Sequence, residues 1–424
     1  MRRATTITIV AVLAIAALPA LADLQNVAVG GSVRIRGNYF DFDHVADAHV
    51  NSLAFVEQRT RLNVKADFTD SVDAFIELDS YDNWGEDFRS HYLTGVDSRG
   101  TADVSLYQAY IEAKGLWGTP LAARIGRQEL KLGSGWLVGA NNAAPYFQGL
   151  SFDALLLSYA TDQFNVAAVA GKLLERSPLE EDGDISLYGV YASYLGIENV
   201  TLDAYWLFIR DAANFKGSLD SHAFGLRGSG KFGAFDFEAE AAYESFSWDK
   251  EDLLLADGDT HSGAIGANLL VGYTFDVNYA PRVYAGAAYF GAEKDEAPFN
   301  RLFSDWKYCL ILDTNANLSN IWLVHGGVTM NPTESLKLTA SAGYIQAIQD
   351  REIDPWHSSD KPLGVEAGVR ADYAYTKELT FAASYSHLFA LDGLKDGNYV
   401  PNNSAALAFT NDVNYFYAET KLSF

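Results

Sequence analysis

No stretch of the 424-residue chain approaches the roughly 18 consecutive apolar residues that a membrane-spanning helix needs. A helical membrane protein is thereby excluded. Cysteine is nearly absent: Cys309 stands alone, which rules out an intramolecular disulfide framework. Positive charge is scarce, with 31 Lys and Arg against 55 Asp and Glu and a formal net charge of −24. Such an acidic balance argues against nucleic acid as a partner. Catalytic signatures are missing too. The eight His show no H-E-x-x-H pairing, and no G-x-S-x-G elbow occurs. Gly225 to Gly233 contains both G-x-x-x-x-G-K and G-x-G-x-x-G. Phe232, however, replaces the Ser or Thr a phosphate loop requires, and the stretch reads as a strand running into a turn. No acidic cluster has EF-hand spacing. No catalytic residue, metal ligand or cofactor site is expected.

What the chain does have begins at its first residues. Arg2 and Arg3, the apolar run Ile7 to Leu18 and the small-residue site Ala20-Leu21-Ala22 read as a secretory signal peptide over residues 1–22. The chain, whose mature part is read as 23–424, carries 24 Tyr, 25 Phe and 35 Gly, yet the mean hydropathy of the whole sequence is near zero. Strands with one apolar and one polar face produce that balance. The last fourteen residues, Asn411 to Phe424, show it best. Phe416, Ala418, Leu422 and Phe424 fall on one face, with Thr420 as a mild exception; Tyr415, Tyr417, Glu419, Lys421 and Ser423 fall on the other. An apolar face running to an aromatic terminus is what a barrel's closing strand must show to lipid, whereas the terminus of a soluble domain is usually polar. Similar alternation recurs in Gly30 to Phe40, Leu53 to Phe68 and Val72 to Tyr81.

The connections sort by length. Tight turns are expected near Thr69–Asp70, Gly115–Pro120, Ala160–Asp162, Gly196–Asn199, Gly233–Ala234, Asp276–Ala280, Asn331–Glu334 and Tyr375–Glu378. Longer loops lie between them, as on the two rims of a bacterial outer-membrane barrel. The expected fold is all-β: one transmembrane antiparallel β-barrel of about 18 strands, with an aqueous lumen gated by a long loop. Trp84, Trp117, Trp206 and Tyr373 are read as interfacial belt. Acidic loop clusters, Glu180 to Asp184, Asp249 to Asp259 and Glu293 to Glu296, are either solvated or hold Ca²⁺ or cations bridging to lipopolysaccharide.

Leu121 to Asp153 contains ARIGRQELKLGSGWLVG followed by FQGLSFDALLLSY, and Phe299 to Ile321 reads FNRLFSDWKYCLILDTNANLSNI. These segments resemble the alginate export family of outer-membrane barrels, with its R-x-G-R-Q strand, its glycine-bearing loop and its later F-x-x-L-F loop. Ser304 sits where a Pro is more usual, and Cys309 where Gly is expected. The resemblance implies passive export of an anionic polysaccharide through an Arg- and Lys-lined lumen. It carries Arg124, Arg127 and Gln128 on the motif strand, Asp153 on the next, and Arg59 and Arg61 on an earlier one.

From alternation and this likeness, the expected substrate path comprises Arg34, Arg36, Arg59, Arg61, Arg124, Arg127, Gln128, Lys131, Asp153 and Arg370. Lys65 and Arg227 are further lumen candidates. Guanidinium forks can replace the hydration of a moving carboxylate. Alternatively, they pair with Glu57, Glu77, Asp79, Glu112, Glu129, Asp153, Glu366 and Asp372 and only satisfy a polar interior. Arg124 and Arg127 cannot both face inward on a regular strand, unless Gly126 marks a bulge. Three functions remain open: polysaccharide export, a general or small-solute porin, and a surface-binding or enzymatic role. Expected partners are the permeating solute, outer-membrane lipid and lipopolysaccharide, and the barrel assembly machinery through the strand ending at Phe424. A monomer is expected.

Overall fold

In the computed structural model the described residues are 24–41, 52–85, 104–176, 183–213, 218–249, 260–291, 297–313, 318–349, 360–395 and 411–424. The expected signal peptide lies outside them. So do most of the acidic loop residues, including Glu180, Glu181, Asp182, Glu251, Asp252, Asp257, Asp259, Glu293, Asp295 and Glu296.

Eighteen strands form a single antiparallel sheet that closes on itself. They run β1 (Asn26–Asp41), β2 (Ser52–Thr69), β3 (Val72–Asn83), β4 (Ser105–Ala113), β5 (Leu121–Gln128), β6 (Phe152–Ala160), β7 (Phe164–Leu174), β8 (Ile185–Ile197) and β9 (Val200–Asp211). Then follow β10 (Ser218–Phe232), β11 (Phe235–Asp249), β12 (Thr260–Thr274), β13 (Arg282–Phe290), β14 (Ile321–Thr333), β15 (Leu336–Ala347), β16 (Pro362–Ala374), β17 (Leu379–Ala390) and β18 (Val413–Ser423). Each strand pairs with its sequence neighbours, and β1 pairs with β18 from Ser32↔Ser423 to Asp41↔Asn414. Closure leaves no edge strand, which is why a sheet can stand in lipid at all. Each expected tight turn falls at the junction of two successive strands, although Gly196 and Ile197 still belong to β8 and Asn331 to Thr333 to β14; the short connections thus share one rim and the long ones the other.

Alternation decides which face meets what. On β18, Phe416 and Leu422 are 44% and 41% exposed, while Tyr415, Tyr417 and Glu419 between them are 9% exposed or less. The apolar face is the outer one. Leu62, Ile76, Ile111, Ile125, Leu155, Leu157, Leu226 and Ile265 stand on the same outer surface, forming the apolar band expected at the lipid.

A barrel of this size would be wide open if nothing filled it. Here two loops from the long-loop rim turn inward. One joins β5 to β6 (129–151). The other joins β13 to β14, of which 291, 297–313 and 318–320 are described. They meet in a short parallel bridge, Val138↔Phe303. Gly139 N–H donates to Phe303 O at 2.9 Å, Phe303 N–H to Leu137 O at 2.8 Å and Asp305 N–H to Gly135 O at 2.8 Å. Trp136, 1% exposed, lies 6.1 and 5.7 Å from the rings of Phe290 and Phe299. With Leu187, Leu207, Leu312, Ile321, Leu323 and Leu363 it makes an apolar core inside the barrel. Part of the lumen is therefore packed like a soluble protein interior.

Candidate permeation path

The arginines of β1 and β2 share one inner wall because antiparallel register sets Arg34 opposite Arg59 and Arg36 opposite Glu57. That wall is covered. Arg34, Arg36, Arg59 and Arg61 are each 2–3% exposed, and residues 142–148 of the first loop lie over them. Arg36 Nη1 donates to Pro145 O at 2.8 Å, Arg59 Nη1 to Phe147 O at 2.6 Å and Gln148 O at 3.1 Å, and Arg61 Nη2 to Gln148 O at 2.7 Å. Asn142 Oδ1 accepts from both Arg59 and Arg61 at 3.0 Å. The Phe147 ring lies 4.8 Å from the Arg34 guanidinium and 5.0 Å from that of Arg36. Gly149 adopts φ +91°, and a Cβ there would stand 2.7 Å from Arg61 Nη2, so only glycine lets the loop approach this closely.

Carboxylates complete the wall. Glu419 pairs with Arg34 (2.9 Å) and Arg36 (2.7 Å), and Asp79 with Arg61 (3.1 Å). Glu129 lies 3.7 Å from Arg61 and accepts from Tyr107 and Asn142. Glu57 accepts from Asn38 and Glu77 from Gln108. Arg59 differs. Its hydrogen bonds go to three neutral oxygens of the loop, and it makes no ion pair among the described residues.

The motif strand β5 places its residues on both faces. Arg124 points inward, pairs with Glu112 at 2.7 Å and lies 4.6 Å from the centre of the Tyr110 ring. Gln128 also points inward, but it is fully buried. Its amide donates to the carbonyls of Arg124, Gly126 and Ala154 (3.3, 3.2 and 2.9 Å), so it ties backbone to backbone and does not line a path. Arg127 and Asp153 correct the lumen expectation. They stand on the outer face with Ile125 and Leu155 and pair there in a two-pronged fork, 2.8 Å at each prong. The reason is strict alternation. Pairing runs through Gly126 without a register shift on either side, so there is no bulge. Gly126 has φ +130°, and a Cβ there would lie 2.2 Å from Ala109 O; glycine serves close strand approach.

Three adjoining cavities surround loop residues 142–145. One of about 680 Å³ is lined by Arg124, Glu129, Lys131, Asn142 and Asp305, with Lys131 Nζ 3.4 Å from Asp305. A second, of about 600 Å³, lies between the two loops and strands β12–β18; Arg282, Lys307, Lys337 and Arg370 line it. A third, of about 470 Å³, continues toward the short-turn rim past Arg34, Lys337, Arg370 and Lys421. Among the described residues the last two together present six cations against four carboxylates, Glu334, Glu366, Asp372 and Glu419. Glu366 is spent on the loop: it accepts the backbone N–H groups of Leu310, Ile311 and Leu312 at 2.6–3.3 Å. Arg370 pairs with Asp372 at 2.5 Å and donates to the Tyr417 hydroxyl. Lys307, Lys337 and Lys421 make no ion pair among the described residues. Burial among cavity walls and neighbouring cations pushes the Lys307 ammonium down to about 8, and its Nζ sits 4.4 Å above the Tyr146 ring. Of the remaining candidates, Lys65 pairs with Asp67 and Asp73, and Arg227 with Asp203 and Glu238.

Lys307, Lys337, Lys421 and Arg282 were not singled out from the sequence. Lys421 and Lys337 sit on the polar faces of β18 and β15, so alternation could have found them. Lys307 lies in a loop and carries no such signal.

Among curated proteins none matches the sequence. Solved structures do match in fold. Pseudomonas aeruginosa OccK8 (OprE) is 14% identical with a TM-score of 0.59, covering 95% of this chain and 100% of that one. Pseudomonas aeruginosa OccK9 (OpdG) gives 13% and 0.60 over 95% and 100%, and Acinetobacter baumannii OccAB2 gives 14% and 0.58 over 95% and 99%. At such identities the likeness speaks for the barrel alone. The family model described as Alginate export matches residues 25–406. Since that model spans nearly the whole barrel, the chain belongs to the alginate export family and is an integral channel of the outer membrane.

Proposed function

We propose that this channel passes anionic saccharides of the alginate class by diffusion along a basic track on the β13–β18 side of the lumen. The observation that carries this reading is the group Lys307, Lys337, Arg370 and Lys421 around two adjoining cavities. Among the described residues cations outnumber carboxylates there, in a chain whose net charge is −24. A field of one sign focused between low-dielectric walls raises the local concentration of the opposite ion. Lysines with no carboxylate partner among the described residues can exchange water for a solute carboxylate at little cost, and shallow, repeated sites suit conduction. Arg34, Arg36, Arg59 and Arg61 contribute on this reading by holding the first loop, and Arg124 and Lys131 by lining the cavity on the far side of it.

A second reading, passage of small anionic solutes without polymer, is favoured by one observation. The two loops are tied to each other and to the wall, so a polymer would have to displace them. Reversal potential in a planar bilayer under a salt gradient, repeated with uronate oligomers of rising length, separates the two. Anion preference with block by long oligomers supports polysaccharide passage. Anion preference blocked only by mono- and disaccharides restricts the channel to small solutes. Cation preference defeats both.

A further inference from the structure

Residues 142–145 of the first loop divide the lumen into two parts that differ in charge. On one side runs the basic track, where Lys307, Lys337 and Lys421 make no ion pair among the described residues. On the other lies the 680 Å³ cavity, between the loops and the inner wall of β3 to β7. Among the described residues two cations and two carboxylates line it, and each already has a partner of opposite charge. Arg124 pairs with Glu112 at 2.7 Å, Lys131 lies 3.4 Å from Asp305, and Glu129 lies 3.7 Å from Arg61. Asp305 also accepts the Asn141 N–H at 2.6 Å. A carboxylate entering here would have to break an ion pair, so anion passage along the track does not account for this cavity.

We propose that this cavity binds an uncharged saccharide of one or two rings, apart from the anions that follow the basic track. Its volume falls in the range of roughly 300–1,000 Å³ typical of small-molecule sites, and its lining mixes apolar walls with a few polar groups. Phe75 and Tyr110, whose ring centres are 5.3 Å apart, and Leu156 and Leu132 give the apolar part. Ser158 and Asn165 line the cavity and make no hydrogen bond among the described residues. Arg124 spends Nε and Nη2 on Glu112, which leaves Nη1 for a ligand. These groups offer donors and acceptors side by side, and a hydroxyl, which both donates and accepts, meets them without disturbing the charge balance. The C–H faces of a sugar ring suit the aromatic and aliphatic walls. A sugar acid would instead bring its carboxylate toward Glu129 and Asp305, and like charges in contact select against it. Asn165 is the second residue of β7, so the cavity reaches the short-turn rim, from which a solute can enter.

The test uses the purified full-length barrel in detergent, titrated calorimetrically with glucose, maltose and glucuronate. The wild type is compared with Ser158→Val/Asn165→Leu, with Ala167→Trp and with Lys337→Met/Lys421→Met. Maltose should bind the wild type, and Ser158→Val/Asn165→Leu should bind it about tenfold more weakly, as expected for two lost hydrogen bonds between neutral groups. Ala167→Trp, which fills the cavity from β7, should abolish binding. The lysine variant should keep the wild-type affinity for maltose, and saturating glucuronate should not displace the sugar. Absence of glucose and maltose binding in the wild type overturns the proposal, as does equal maltose affinity in wild type and Ser158→Val/Asn165→Leu. Loss of maltose binding in the lysine variant, or displacement by glucuronate, places the sugar on the basic track and overturns it too. Should Ala167→Trp lose the heat-dependent gel shift of a folded barrel, Ser158→Val/Asn165→Leu decides by the same criterion. Cation preference in the reversal potential would defeat the anionic reading and leave this one standing, so the two fail separately.

Discussion

Lys307 shows how one side chain in a loop can set the charge of a cavity. It has no carboxylate partner among the described residues, it faces the 600 Å³ cavity, and its ammonium releases its proton near pH 8 because burial disfavours the charged form. The sign follows directly. Below about pH 8 the cavity holds the extra positive charge; above it the charge is gone and anions are less favoured. Reversal potentials measured between pH 6 and pH 9 should show anion preference falling through about pH 8 in the wild type. In Lys307→Met the preference should be lower at pH 6 and flat across that step. A step that persists in the variant would assign the titration to another group. Arg59 makes the opposite point. As a lone guanidinium it reads as a solute ligand, yet three of its contacts are loop oxygens, and its function is set by what covers it.

At the scale of the element, the constriction is held from several sides by groups that match backbone polarity. Arginine forks of β1 and β2 take carbonyls of residues 145–148, while Glu366 and Glu244 take amides of residues 310–312 and 300. The second loop is also braced internally by the Arg301–Asp313 pair, 2.7 Å long and buried. Orphaned loop carbonyls and amides inside a barrel would otherwise be costly, so each anchor contributes position as well as energy. Arg59→Met should cost about 3 kcal/mol of stability, in line with losing several hydrogen bonds to a charged donor. Single-channel recordings should show larger and noisier conductance, with anion preference unchanged, because Arg59 lines none of the three cavities. Steady conductance with reduced anion preference would put Arg59 back among the solute ligands.

For the whole molecule the governing fact is two solvents on two faces of one sheet. Adjacent residues of β6 illustrate it: Leu157 faces lipid, and Ser158 lines the 680 Å³ cavity. Leu157→Arg should destabilise the folded barrel by about 2–4 kcal/mol, the range for a cation deep on the lipid face. Ser158→Arg should change folding little. Urea unfolding in lipid vesicles, followed by tryptophan fluorescence, would check this. Comparable losses at both positions would mean that the face assignment is wrong for this strand.

Sequence by itself determined the barrel: the alternation of β18, the eight tight turns and the count of about 18 strands need only a period of two and the chemistry of turns, both local. It also placed Arg34, Arg36, Arg59 and Arg61 on one inner wall, since hairpin register carries that much. Tertiary structure alone decided what those arginines face. Where residues 142–148 and 297–313 come to rest depends on contacts between segments more than 100 residues apart, such as Val138 with Phe303, and no local periodicity encodes such pairs. Thus the expected wall of open arginines became a clamp for a loop. The basic track instead falls on Lys307, Lys337, Arg370 and Lys421. Arg127 and Asp153 turned out on the lipid side, because an unbroken register leaves alternate residues no choice of face.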